Sequence, residues 1–225
     1  MNQRRSLPGR IGIFIALVFI QNLSTMIMGI EGLIGRPLSE LAYALIISLV
    51  FLAVMVYFIK YYQGQLQEYN PRGFGENLSF KGKVGWIILT VVGIYAFLIL
   101  VSPLLPQGTA ENQQVVDQMF LNHVLGVTLY GAVLGPIIEE LLYRGIFMNF
   151  FWNQKGRMYD VLAVLSSGLL FGLLHEPQLS LYLVVYSAIG VFLGMLYLKT
   201  KDIRCNMIAH ILYNGITFLV MFQTL

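Results

Sequence analysis

Two adjacent carboxylates and a guanidinium stand in one apolar stretch of the chain, Gly135-Pro136-Ile137-Ile138-Glu139-Glu140-Leu141-Leu142-Tyr143-Arg144. An ionised side chain in bilayer hydrocarbon costs on the order of 2.5–3.5 kcal/mol, so charges there need a partner or a task. Helical geometry sorts the three. Glu140 and Arg144 are four positions apart and share a face, spaced for an ion pair, whereas Glu139 points about 100° away. One carboxylate is thereby neutralised, and the other is left free to exchange a proton, as general-base chemistry requires. Pro136, which lacks an N–H, interrupts the backbone ladder one turn earlier. A salt bridge that only fixed helix packing would account for Glu140 and Arg144 but not for Glu139.

Two of the three histidines have similar surroundings. His175 closes the run Phe171-Gly172-Leu173-Leu174-His175, and His210 is followed at i+4 by Asn214, on the same helical face. Alone, such a residue bundles membrane helices by hydrogen bonding. Beside a free glutamate they shift the balance toward function, with Glu139, His175, His210 and Asn214 as the candidate site residues. His123, near the outer end of its apolar run, is expected to be interfacial and non-catalytic. Other intramembrane designs fit poorly. His175-Glu176 continues as Pro177-Gln178-Leu179, so the H-E-x-x-H zinc helix is absent. Asp117, Asp160 and Asp202 all lie at the ends of apolar runs, which leaves no aspartyl pair in mid-membrane. Ser166-Ser167-Gly168 has Leu165 where a rhomboid-type serine motif has glycine, and reads as small residues at a helix contact.

The elements that must position these groups are membrane helices. Of the 225 residues 57% are apolar and 11% charged, with a mean hydropathy of +0.73, against about 25% charged residues in soluble domains. Apolar runs at 11–30, 41–59, 84–105, 120–151, 161–175, 179–198 and 205–225 predict an all-α, polytopic bundle of about seven spans in a single membrane domain covering 1–225. Within it, residues 1–119 supply N-terminal spans and a long loop at 61–83, where Gly64, Pro71, Gly73 and Gly75 are expected to break any helix. Residues 120–225 carry all the candidate groups. Arginines precede the first run, but no A-x-A-like cleavage site follows residue 30, so it is expected to remain as a span. Every second connection is basic: Arg4, Arg5 and Arg10; Lys60, Arg72, Lys81 and Lys83; Lys155 and Arg157; Lys199, Lys201 and Arg204. The alternate connections hold Arg36 against Glu31, Glu40, Glu111, Asp117 and Glu176. The positive-inside rule then puts the N-terminus in the cytoplasm. The net charge of +3 is spread over helix ends rather than gathered on one face, which argues against a nucleic-acid partner. Cys205 is the single cysteine, so an internal disulfide and a cysteine zinc cluster are both excluded.

Taken in order, Glu139-Glu140-x-x-x-Arg144, Phe171-x-x-x-His175 and His210-x-x-x-Asn214 resemble the three motifs of the CAAX-protease and bacteriocin-processing family, also called Abi, over roughly residues 130–215. The resemblance implies an intramembrane endopeptidase acting on a membrane-associated peptide or protein. Glu139 and His175 would activate water, His210 and Asn214 would hold the oxyanion, and Glu140, Arg144 and Phe171 would support the site. No cofactor is favoured. A zinc held by Glu139, His175 and His210 is the competing arrangement, since these are acceptable ligands for a metal with an open position. Within the same family a non-catalytic membrane partner, such as a bacteriocin self-immunity protein or a sensor-kinase scaffold, is the alternative function. A small transporter is a third, disfavoured by the clustering of polar groups and the absence of an internal repeat. No motif specifies an oligomeric state.

One expectation is in tension with the rest. At 1.5 Å per residue, His175 lies about 22 Å along its helix from Asp160, but His210 only about 9 Å from Arg204. Straight parallel helices would keep the histidines apart, unless the last helix begins deeper than its basic flank implies or a break near Pro136 brings the groups together.

Overall fold

Serine and aspartate caps set where several helices start. Ser39 accepts from the Ala42 amide, Ser180 from that of Leu183 and Asp202 from that of Arg204, each satisfying a donor the first turn leaves free. The structure, a computed structural model, describes residues 6–106 and 110–223. Arg4 and Arg5 of the first basic flank, and the side chain of Glu111, lie outside that description. The helices are α1 (Leu7–Ile34), α2 (Glu40–Glu68), α3 (Val84–Leu104), α4 (Glu111–Asn122), α5 (Val124–Phe151), α6 (Arg157–His175), α7 (Leu181–Thr200) and α8 (Ile203–Phe222). All but α4 are long and apolar enough to cross a bilayer, and there is no strand among the described residues. Apolar side chains face outward along α1 to α3, as at Phe19, Leu49, Ile99 and Leu100, where lipid replaces water as solvent. The chain is a multi-pass membrane protein.

Two boundaries differ from the sequence expectation. The helix before the long loop does not stop at residue 60: α2 runs through Gly64 to Glu68, and only residues 69–83 form the loop. A single glycine costs a helix about 1 kcal/mol. Here the extra turns are anchored by the Tyr62 hydroxyl, 2.8 Å from that of Tyr197. At the other end, the fourth span starts at Val124 rather than near residue 120, and Phe120 belongs to the separate amphipathic helix α4. The break is at His123, whose ring stacks on Tyr43 at 3.8 Å and lies 3.1 Å from Glu31 and 3.2 Å from Glu40.

The 69–83 loop folds over the start of α8. The Gly75 amide donates to the Lys201 carbonyl at 2.7 Å, Lys83 reaches Asp202 at 3.0 Å, Arg204 donates to the Leu78 carbonyl at 2.6 Å, and Arg72 pairs with Asp160. Burial pushes the Asp202 carboxyl up, but Arg204 and Lys83 outweigh it and hold the group below the ordinary aspartate range. Capped in this way, α8 begins beneath the loop rather than at the bundle's edge.

Backbone contact joins α6 to α7. A Cβ on Gly190 would meet the Gly168 Cα at 2.8 Å, and one on Gly172 would meet the Ser187 amide nitrogen at 2.9 Å. These glycines let two helices touch without side chains between them, the usual way membrane helices gain packing contact. Gly190→Ala should therefore force α6 and α7 apart at an overpacking cost of about 1–3 kcal/mol. The expected outcome is a lower unfolding midpoint in detergent, while Gly12→Ala, at a position with open space around it, leaves the midpoint unchanged.

Candidate active site

Glu140 is fully buried, and its hydrogen-bond partners come from its own helix and from α8. Arg144, four residues on in α5, donates to its Oε1 at 2.8 Å; His210 Nδ1 of α8 lies 2.9 Å from the same oxygen; and Asn206 of α8 donates to Oε2 at 3.1 Å. Arg144 also donates to the Gly190 carbonyl of α7 at 2.9 Å and lays its guanidinium 4.9 Å from the Phe171 ring centroid. A buried ion pair is tolerable only when its remaining donors and acceptors are also satisfied. The ion pair read from the four-residue spacing is present, and its extra partners come from α7 and α8, with Arg144 Nε alone of the pair's polar atoms left without a hydrogen bond.

Glu139 points elsewhere, as its 100° offset requires. Its Oε2 lies 3.8 Å from His175 Nε2 and 3.8 Å from His210 Nε2. The other nitrogen of each ring is committed: His175 Nδ1 is 2.8 Å from the Phe171 carbonyl, and His210 Nδ1 faces the Glu140 carboxylate. Both partners are acceptors, so both histidines carry their proton on Nδ1 and turn Nε2 toward Glu139. Phe171 and Tyr186 hold the His175 ring between them, at centroid distances of 4.1 and 5.1 Å.

Asn214 lines the same cavity, one turn beyond His210. Its amide donates to the Gly131 carbonyl at 2.8 Å. The reason lies in α5, which is wound in wider π turns over Leu129–Leu134 and again over Leu141–Phe147. In that winding the partner of the Gly131 carbonyl is residue 136, and Pro136 has no N–H to give. Asn214 takes its place with one N–H and keeps a second.

The sequence-derived set of Glu139, His175, His210 and Asn214 is thus brought to one cavity of about 350 Å³, with Phe171 in its wall. The tension over depth is resolved by the buried start of α8: His210 is only its eighth residue, yet reaches the level of His175, the last residue of α6. Residues not singled out from the sequence also take part. Asn206 precedes His210 by four positions on the same face, a spacing that could have revealed it. Tyr186 and the Gly190 carbonyl gave no such signal, nor did Gln21 and Asn22 of α1, which line the cavity. His123 lies elsewhere, at the end of the bundle that holds α4.

The donor chemistry of Glu139, His175 and His210 suits zinc, but ligand atoms sharing a tetrahedral zinc at 2.0–2.2 Å stand about 3.4 Å apart. Here Glu139 Oε2 stands 3.8 Å from each histidine Nε2. Among the described residues no group of three His, Cys, Asp or Glu side chains is drawn together closely enough to hold a metal. No step is therefore derived through one.

A family model described as type II CAAX prenyl endopeptidase, Rce1-like, matches residues 121–216, the segment that contributes Glu139, Glu140, Arg144, Phe171, His175, His210 and Asn214. Over that segment the chain is similar to the CAAX-protease and bacteriocin-processing family. Among curated relatives, YdiL of Bacillus subtilis, a candidate membrane peptidase by its name, is 29% identical over 51% of this chain and 43% of its own length. The UPF0177 protein YvdC of Lactococcus lactis is 30% identical over 57% of this chain and 46% of its own. The membrane-embedded CAAX protease MroQ of Staphylococcus aureus is 26% identical over 63% and 59%. The chain spans about half the length of these relatives. No solved structure matches it. Replacing Asn206 by leucine leaves a lone pair of Glu140 without its donor, at a cost of about 1–3 kcal/mol. Asn206→Leu is expected to unfold at a lower temperature than wild type; an unchanged melting curve would remove Asn206 from the support of the site.

Proposed function

We propose that this chain is an intramembrane endopeptidase that hydrolyses a peptide bond in a membrane-associated peptide or protein with water activated by Glu139 and His175. The observation that supports this most directly is the meeting of Glu139 Oε2 with two histidine Nε2 atoms at 3.8 Å each. That separation is too long for direct hydrogen bonds and short enough for one water to bridge.

In this reading the water gives a proton to Glu139 as its oxygen attacks the scissile carbonyl carbon. The π electrons of the carbonyl move to oxygen, and the oxyanion is met by His210 and by the second N–H of Asn214. For His210 to donate from Nε2 while Nδ1 serves Glu140, its ring carries both protons, with Glu139 as counter-ion. Collapse of the intermediate expels the amine, which takes the proton held by Glu139 and His175. Glu140 and Arg144 stay out of the proton traffic and hold His210 and α5 in register. Such fixed donors are effective where little water competes. The remaining parts of the reading are the N-terminus in the cytoplasm, a single membrane domain with the catalytic groups in its second half, and no metal. What the name of MroQ says of that protein, a CAAX protease, is consistent with this reaction class. The alternative, a non-catalytic membrane partner, needs no proton acceptor at Glu139.

Glu139→Gln and His175→Ala should each lower cleavage by about 10²–10⁴-fold, the usual contribution of a general base. The check is mass spectrometry of membrane peptides from cells making wild type or each variant at equal level. Cleavage that persists undiminished in Glu139→Gln would overturn the assignment.

A further inference from the structure

The cavity does not sit symmetrically in the bundle. Its wall is made by Gln21, Asn22, Thr25 and Met28 in the second half of α1, by Val115 and Met119 of α4, by α5 from Val127 to Tyr143, by the last turn of α6, by Tyr186 and Ile189 in the first half of α7, and by α8 from His210 onward. All of these lie in the half of the molecule away from the basic loops. The basic half has its own cleft of about 650 Å³, lined by Arg72, Lys81, Lys83, Lys155, Lys199 and Lys201, and none of the candidate catalytic side chains reaches it. The fold thus has a lysine-rich pole without the chemistry and a lysine-free pole with it.

The wall opposite the floor also differs from it in kind. The floor comes from residues 121–216, the part the family model matches. That wall comes from α1 and α4, at positions outside the segment, and offers neutral hydrogen-bonding groups: Gln21, Asn22, Thr25 and Gln113. Gln21 Oε1 is buried without a hydrogen-bond partner, an acceptor that a polypeptide N–H could satisfy and that is otherwise expensive to leave bare. A peptide bond can be attacked only where the helix ladder is open, and an opened backbone in a membrane needs substitute partners.

Resting on the proteolytic reading above, we infer that the substrate is a polypeptide presented from the extracytoplasmic side. It enters the cavity through the mouth between α1 and α4, whose polar side chains pair with its unwound backbone. The charge distribution supplies the orientation, because lysine and arginine are retained on the cytoplasmic side. The two ends of the molecule then have separate tasks, with anchorage by the basic pole and substrate entry at the opposite one.

Single cysteines test this in intact cells, with wild type as the blank because its one cysteine, Cys205, is fully buried. A membrane-impermeant maleimide should label Val115→Cys and Asn122→Cys in intact cells, and Lys155→Cys only after permeabilisation. Labelling Val115→Cys should then abolish the Glu139-dependent cleavage that the same membranes showed before labelling, whereas labelling Lys155→Cys should not. In Gln21→Leu, KM should rise several-fold with kcat within about twofold. Labelling of Lys155→Cys but not Val115→Cys in intact cells would overturn the inference, as would full cleavage by labelled Val115→Cys or an unchanged KM in Gln21→Leu. If no Glu139-dependent cleavage exists in any membrane, the proteolytic reading fails, and the labelling pattern still decides which side the mouth faces.

Discussion

A carboxylate with no exposure to solvent or lipid is the constraint around which this molecule is arranged. Glu140 cannot be left alone in a helix bundle, and its neutralisation recruits Arg144 from its own helix and His210 and Asn206 from α8. Arg144 has more donors than Glu140 can use, and one of them ties α5 to the backbone of α7 at Gly190. The same residue, Gly190, is where α7 meets α6 without side chains between. A single buried charge thereby fixes the relation of four helices. It also orients His210, because an acceptor at Nδ1 holds a proton there and turns Nε2 toward Glu139. The placing of both ring nitrogens comes from one interaction.

The second constraint is a missing hydrogen. Pro136 deprives the Gly131 carbonyl of its partner in a helix already wound in wide turns, and Asn214 answers from α8. The bond does two things at once. It closes the backbone account of α5 in a medium where an unpaired carbonyl is costly, and it holds the Asn214 amide at the cavity wall with one N–H unengaged. An irregular helix beside a candidate reaction centre agrees with the general tendency of π turns to occur at functional sites.

Much of this was legible in the sequence. The seven apolar runs, the pairing of Glu140 with Arg144 and the separate direction of Glu139 all follow from hydropathy and helical periodicity. Those are local properties, readable one helix at a time. The depth of His210 was not readable in that way. It depends on where α8 begins, which is set by contacts from residues 69–83, more than a hundred positions away in the chain. Gly64 misled for a related reason, because local propensity was outweighed by Tyr62 meeting Tyr197 across the bundle. The helix α4 was hidden by its weak hydropathy and by the apolar residues that follow it. Asn206 was overlooked although its spacing from His210 was the same four residues that drew attention to Asn214.

His175 is the last residue of α6, and the chain beyond it turns extended at Glu176. A reaction centre built at the end of a helix that spans the bilayer would lie close to the edge of the hydrocarbon layer, not at its middle. Hydrolysis consumes one water per turnover, and a bilayer is a barrier to that reactant as much as to ions. Ending a helix on a candidate catalytic histidine would shorten the path from bulk solvent to the site, so that the supply of water need not limit the rate. The polar amides of α1 and α4 would then serve as a wet threshold, and the sealed charge cluster around Glu140 as the dry floor beneath it.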